Sequence, residues 1–175
     1  MMVPTFTPSG PTVDPATVGV PLDPCAALIS PEDVANVLGL DREKTAVQAV
    51  VGQPSPTVGR TEKLDCTYVA ARGGPLFTLR TGTFVTPEAA REQWQRNSGL
   101  EDGQRQDVTI GTAPGVLFVR PSELVLSLVD GARTLTVRVP DRTVPEGRAR
   151  ENLIVDFARR ALKIDPGTPA RAGAG

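Results

Sequence analysis

Glu123-Leu124-Val125-Leu126-Ser127-Leu128-Val129-Asp130-Gly131-Ala132-Arg133-Thr134-Leu135-Thr136-Val137-Arg138-Val139 is the stretch whose reading decides the fold. Leucine returns at every second position over 124–128, and Leu135, Val137 and Val139 answer it. Each half therefore reads as a strand with one apolar face. Arg133 falls on that face near the turn. Asp130-Gly131 between the halves is a strong two-residue hairpin signal. Such a turn needs positive φ, which glycine supplies without a steric cost.

Working outward, Gln106–Ile110 and Val116–Arg120 read as two short strands around a turn region at 111–115, and Pro121-Ser122 turns the chain into the hairpin. Upstream, Thr45–Val51, Leu64–Ala71 and Leu76–Phe84 read as three more strands. Leu64, Cys66, Tyr68 and Ala70 share one face of the second, and Phe77, Leu79, Thr81 and Thr83 one face of the third. The segment 52–63 holds Pro54, Pro56 and Gly59 and reads as a loop; Arg72-Gly73-Gly74-Pro75 reads as a turn. Gly82 inside the third strand marks a bulge or a close approach.

Three helices punctuate this series. Ser30 caps the first, Pro31 takes its first position, and Glu32 and Asp33 suit the positive end of its dipole. Val34, Val37 and Leu38 give it an apolar side, Leu28 and Ile29 can pack back on it, and Gly39 is placed to end it in a left-handed conformation. Thr86-Pro87-Glu88 repeats that opening, and the second helix runs to Ser98 before Gly99. Its apolar side is thin, so it is expected on the outside of the sheet, burying little beyond Trp94. The third, over 148–163, presents Leu153, Ile154, Phe157, Ala158, Ala161 and Leu162, with Arg159, Arg160 and Lys163 at its negative end. The order is helix, three strands, helix, four strands, helix. That pattern predicts an α+β fold: a mostly antiparallel twisted sheet with flanking helices, an α/β/α sandwich.

The chain of 175 residues suits one such domain. It is expected over 24–165, between a disordered Pro/Thr-rich leader at 1–23 and a disordered tail at 166–175. A net charge of −1 argues against nucleic-acid binding through bulk charge. Sixteen arginines to three lysines reflect codon usage more than mechanism. The sequence has no histidine, which removes Ser-His-Asp and Cys-His catalysis, His-bearing zinc sites and the usual near-neutral proton shuttle. No run of about 18 apolar residues occurs. Met1-Met2-Val3-Pro4 lacks the basic start and apolar stretch of a signal peptide.

The two cysteines, Cys25 and Cys66, allow a single intramolecular pairing. If joined, they tie the first helical region to the sheet and argue for export, because the cytosol is reducing. Two free buried thiols are the alternative. A redox pair or metal site is weaker, lacking CxxC spacing and histidine.

Asp23-Pro24-Cys25-Ala26-Ala27-Leu28-Ile29-Ser30-Pro31-Glu32-Asp33-Val34, together with Asp65-Cys66-Thr67-Tyr68, resembles the DUF3558-type secreted lipoproteins of actinobacteria, a group of unknown function. The resemblance extends over most of 23–163. It implies a disulfide between Cys25 and Cys66, an exported domain and a lipid anchor in the cell envelope. The element order also looks like the Mog1/PsbP-like sandwich. The family brings no catalytic residues.

Three further residues are candidates for ligand or partner contact: Tyr68, Arg80 and Trp94. Each has a plainer reading. Tyr68 shares a face with Cys66 and suits the core, Arg80 suits a solvated face, and Trp94 suits a core anchor. The segment 133–163 carries eight basic and four acidic residues. That surplus suits anionic lipid or wall polymer, or merely a mixed surface. Glu101 and Asp102 do not make a glycosidase-like dyad, and Gly73-Gly74 and Gly111 lack the context of a phosphate loop.

These observations lead to a non-catalytic extracytoplasmic binding or accessory domain, recognising a lipid, a wall component or an envelope protein. No cofactor or metal is implied, and a monomer is expected. The alternatives are a structural component of an envelope or secretion assembly, and a carboxylate-only hydrolase. A deep apolar cavity between the last helix and the sheet would favour lipid or small-molecule binding.

Overall fold

The structure, a computed structural model, describes residues 23–165 and 171–172. Residues 1–22 of the expected leader and most of the expected tail lie outside the described residues. The predicted α+β architecture is present. Helices α1 (Pro24–Leu28) and α2 (Pro31–Leu38) precede strands β1 (Thr45–Gly52), β2 (Arg60–Ala70) and β3 (Gly74–Phe84). Helix α3 (Pro87–Ser98) leads to β4 (Gln104–Ile110), β5 (Ala113–Val119), β6 (Glu123–Asp130) and β7 (Arg133–Pro140), and α4 (Arg150–Leu162) follows. A two-residue strand, β8 (Arg171–Ala172), completes the order. The strands form one sheet in the order β1-β2-β3-β7-β6-β5-β4-β8, and every neighbouring pair is antiparallel.

The structure corrects the sequence expectation at four places. A separate helix, α1, lies over Pro24–Leu28, because the Asp23 carboxylate accepts hydrogen bonds from the Cys25 and Ala26 amides at 2.9 and 3.4 Å. The loop expected over 52–63 ends early: Gly59, at φ +67°, reverses the chain after a 3-10 turn at Pro56–Val58, and β2 starts at Arg60. Likewise β5 starts at Ala113, because Gly111 and Thr112 alone make the turn. In the stretch expected to be disordered, Arg171 and Ala172 pair with Thr109 and Val108. An open strand edge offers backbone donors and acceptors to any extended segment that reaches it.

Capping follows the sequence. Ser30 Oγ accepts from the Asp33 amide at 3.0 Å, Thr86 Oγ1 accepts from the Ala89 amide at 3.1 Å, and Gly39 closes α2 at φ +67°.

The two faces of the sheet are covered unequally. On one, α1, α2 and α4 bury Cys66, Tyr68, Phe77, Leu79, Leu117, Leu124, Leu126, Leu128, Leu135, Val137 and Val139 against Leu153, Ile154, Phe157, Ala158 and Ala161. Tyr68 stacks on Phe77 at 4.3 Å, and Phe77 stacks on Phe157 at 4.1 Å. Between α4 and the sheet, Leu153, Ile154, Phe157, Ala158 and Ala161 belong to the same core cluster as the strand side chains. On the other face, α3 lies over β3, β6 and β7. It buries Ala90 and Ser98, and it sets a half-buried Trp94 against Phe84 and Val129 on one side and Val116, Phe118 and Val125 on the other. The second helix therefore buries more than the single tryptophan expected of it.

Candidate functional site

Beside α3, the uncovered part of that second face forms a groove of about 380 Å³. Its floor follows from strand register. Thr67 of β2 stands opposite Thr78 of β3, which stands opposite Arg138 of β7; in the adjacent row, Asp65 stands opposite Arg80, which stands opposite Thr136. These six residues share a face because side chains alternate along a strand. Asn97, Leu100 and Glu101, from the end of α3 and the loop after it, form the wall.

The charges in the groove are matched. Asp65 pairs with Arg80 and, at 3.1 Å, with Lys63. Burial pushes the Asp65 carboxyl up, but the hydrogen bonds and positive charges of Arg80 and Lys63 outweigh it and hold its pKa below the ordinary value. Arg138 pairs with Glu101 and, at 3.4 Å, with Glu123. Arg120 meets the same two carboxylates at 2.5 and 2.6 Å and donates from Nε to the Asp102 carbonyl at 2.8 Å. Burial works against the Arg120 charge, but Glu123 and Glu101 prevail and raise its pKa. This network pins the loop at 101–102 to the sheet and fixes the wall of the groove. Thr67, Thr78 and Thr136 add hydroxyls that can each donate and accept. The arrangement suits a polar ligand of little net charge, held by hydroxyls, a carboxylate and guanidinium groups.

The residues predicted from sequence separate here. Arg80 lies in the groove, its side chain 63% exposed. Cys25 and Cys66 are joined in a disulfide, with Cα atoms 5.7 Å apart. Tyr68 is corrected from a contact candidate to a core residue: it is fully buried, and its hydroxyl donates to the carbonyls of Cys25 and Ile29, 3.0 Å from each. Burial raises its pKa. Trp94 is likewise corrected. It faces the sheet beneath α3 and does not line the groove. Its Nε1 has no partner among the described residues.

Sequence reasoning did not single out Thr67, Thr78, Thr136 or Asn97, counted Arg138 only in the basic surplus and weighed Glu101 only as part of a catalytic dyad. A signal existed: Thr67 on β2, Thr78 and Arg80 on β3, and Thr136 and Arg138 on β7 are polar at positions alternating with the core, whereas the corresponding positions on β5 and β6 include Val116, Phe118, Val125 and Val129. Those polar positions lie beside α3, where the face opens into the groove. The basic surplus over 133–163 is largely spent on internal partners. Arg148 pairs with Asp156, Arg150 with Asp141, Arg160 with Asp33 and Asp156, and Lys163 donates to the Leu28 carbonyl.

A second hollow, of about 500 Å³, lies at the start of β1, lined by Gly39, Leu40, Asp41, Lys44, Ala70, Ala71 and Arg72. Among the described residues no three His, Cys, Asp or Glu side chains gather as metal ligands, and no helix is long and apolar enough to cross a membrane.

Fold and groove together define a class: a disulfide-tied α/β/α sandwich with a polar groove beside α3. No protein-family model matches the chain, and no curated protein matches it. Among solved structures it is similar to the extracellular domain of PknH from Mycobacterium tuberculosis, with a TM-score of 0.50 and 12% identity over 79% of this chain and 92% of that one. At that identity the likeness is one of fold.

Proposed function

We propose that this protein is a non-catalytic extracytoplasmic domain of the cell envelope that recognises a hydroxyl-rich wall component, a glycan segment, in the groove beside α3. The floor of that groove carries the reading. Three threonines and two ion-paired arginines across three adjacent strands give many hydrogen-bonding groups and little net charge. An acyl chain would leave the threonine hydroxyls desolvated and unpaired, a cost of about 1–3 kcal/mol each. A glycan would pair with them. The Cys25–Cys66 disulfide supports an address outside the reducing cytosol. So does the fold's likeness to an extracellular domain. The lipid anchor and the relationship to DUF3558-type lipoproteins belong to this same reading. Catalysis by carboxylates is disfavoured because Arg80 and Lys63 hold Asp65 ionised, the opposite of what a general acid needs.

Titration of the isotope-labelled protein with soluble cell-wall glycan fragments, followed by amide NMR, tests this. Shifts should cluster on 65–67, 78–80, 97–101 and 136–138, and Thr78→Val with Arg80→Ala should remove them while the fold persists. Shifts elsewhere, or none with any wall fragment, would count against it.

A further inference from the structure

The two edges of the sheet differ. The β4 edge carries Arg105 and Asp107 and is partly covered by β8. At the opposite edge, β1 pairs only with β2 among the described residues. It reads Thr45-Ala46-Val47-Gln48-Ala49-Val50-Val51-Gly52, eight residues without a charge, a proline or a break in register. Val50 and Val51 are 63% and 71% exposed. Proteins ordinarily blunt such an edge with charge, proline or a bulge, because its free N–H and C=O groups recruit another strand. Here none of those devices is present.

We infer that β1 pairs antiparallel with β1 of a second copy, so that two sheets become one across a two-fold axis. Two observations select this occupant. First, a two-fold pairs β1 only with β1, so a charge on the strand near the axis would meet its own copy; β1 carries none. Second, the chain's own flanks are poor substitutes. The prolines at 4, 8, 11, 15 and 21 leave no uninterrupted run longer than five residues before Asp23, and Arg171–Ala172 already pairs at the opposite edge. With the axis at Ala49, Val47 stands opposite Val51, and Gln48 opposite Val50.

The pairing also has a consequence for the groove. Val50 stands opposite Asp65, and Gln48 opposite Thr67, so both rows of the floor continue onto β1. An antiparallel two-fold keeps both copies' like faces on the same side. The two grooves therefore join into one trough, roughly 34 Å from β7 to β7 at the usual strand spacing. This last step rests on the proposed glycan reading and would suit a polymer; the dimer itself does not rest on it. A single strand pair is a small interface, so affinity in the range of about 10 μM to 1 mM is expected.

Sedimentation equilibrium of the full chain without ligand, over about 10 μM to 1 mM, should show mass rising from monomer towards dimer. Val51→Lys should abolish the rise, whereas Val85→Lys, at an exposed valine (65%) away from β1, should leave it unchanged. Melting curves confirm that both variants fold. Hydrogen exchange of the β1 amides should slow as concentration rises. A monomer throughout, a dimer indifferent to Val51→Lys, or protection, in a monomeric sample, of the β1 amides that do not bond to β2 would each overturn the inference. Glycan titration is read separately, so either idea can fail alone.

Discussion

The hydroxyl of Tyr68 donates to the carbonyl of Cys25, whose sulfur is bonded to Cys66, two positions before that tyrosine on β2. One strand therefore holds α1 twice on the same face, once covalently and once through a buried hydrogen bond. Tyr68 also accepts the stack of Phe77, which carries Phe157 of α4. The clasp thus joins the first helix, the sheet and the last helix into one unit.

Removing the disulfide should cost about 4 kcal/mol, the chain-entropy value for a loop closed across 41 positions. Tyr68→Phe should cost about 1–2 kcal/mol, because the two carbonyls lose a buried donor. With Cys25 and Cys66 both changed to serine, α1 is freer to shift and the Tyr68→Phe cost should shrink. Urea unfolding of the two variants and their combination measures that coupling. Additive losses would mean that the two attachments act independently.

The Asp65 pairs predict a dependence on pH. Its folded pKa lies below the ordinary 3.8, so its contribution to stability is full above that value and is lost as pH falls through the lower folded one. Asp65→Asn should therefore cost about 0.5–1 kcal/mol at pH 7, a modest figure because Arg80 is well exposed to screening solvent. The gap between variant and parent should close as pH falls through the lowered folded pKa of Asp65. Urea melts at pH 7, 5, 3 and 2 would show the convergence; a gap that persists at pH 2 would assign the effect to packing.

How far the sequence foretold this molecule depends on the kind of information each part needs. The β6–β7 hairpin turns at Gly131 and Ala132, one position beyond the expected Asp130-Gly131. That hairpin, the Ser30 and Thr86 caps and the alternation of Leu124, Leu126 and Leu128 are local, so element order and fold class were readable. The groove was not. Thr67, Thr78 and Arg138 come together only through the order β2-β3-β7, in which β7 lies between β3 and β6. Alternation reveals a side chain's face but not its lateral neighbours. Arg80 was singled out because it opposes the core face, which is local; its partner Asp65 required the register. Tyr68 and Trp94 were ambiguous for a related reason. An aromatic on a strand or helix looks the same whether the covering layer is protein or ligand.

Gly115 tests packing on the helix-rich face. A Cβ there would lie 2.2 Å from Leu128 Cδ2 and 2.8 Å from the Ser127 carbonyl oxygen. The leucine can turn aside, but the backbone oxygen of the paired strand cannot. Gly115→Ala should therefore cost about 2–3 kcal/mol. Gly82→Ala should cost less, because its tightest contact, 3.0 Å, is with the Thr134 hydroxyl, a side chain free to rotate. Thermal unfolding should rank the two in that order, and equal costs would show that β5 and β6 separate readily.

Trp94 and Arg80 should part company in function. Trp94 joins two apolar clusters beneath α3, so Trp94→Ala should destabilise the fold by about 2–4 kcal/mol. Trp94→Phe, which keeps most of that packing, should leave glycan binding within about twofold of the parent. Arg80→Ala should behave in the opposite way, costing less than about 1 kcal/mol of stability while weakening binding about tenfold or more, since its guanidinium stands in the groove. Urea melts and NMR titrations on the three variants measure both quantities. If Trp94→Phe abolished binding in a protein of parental stability, the ligand would be stacking on the indole, and the site would have to move from the threonine floor to the flank of α3.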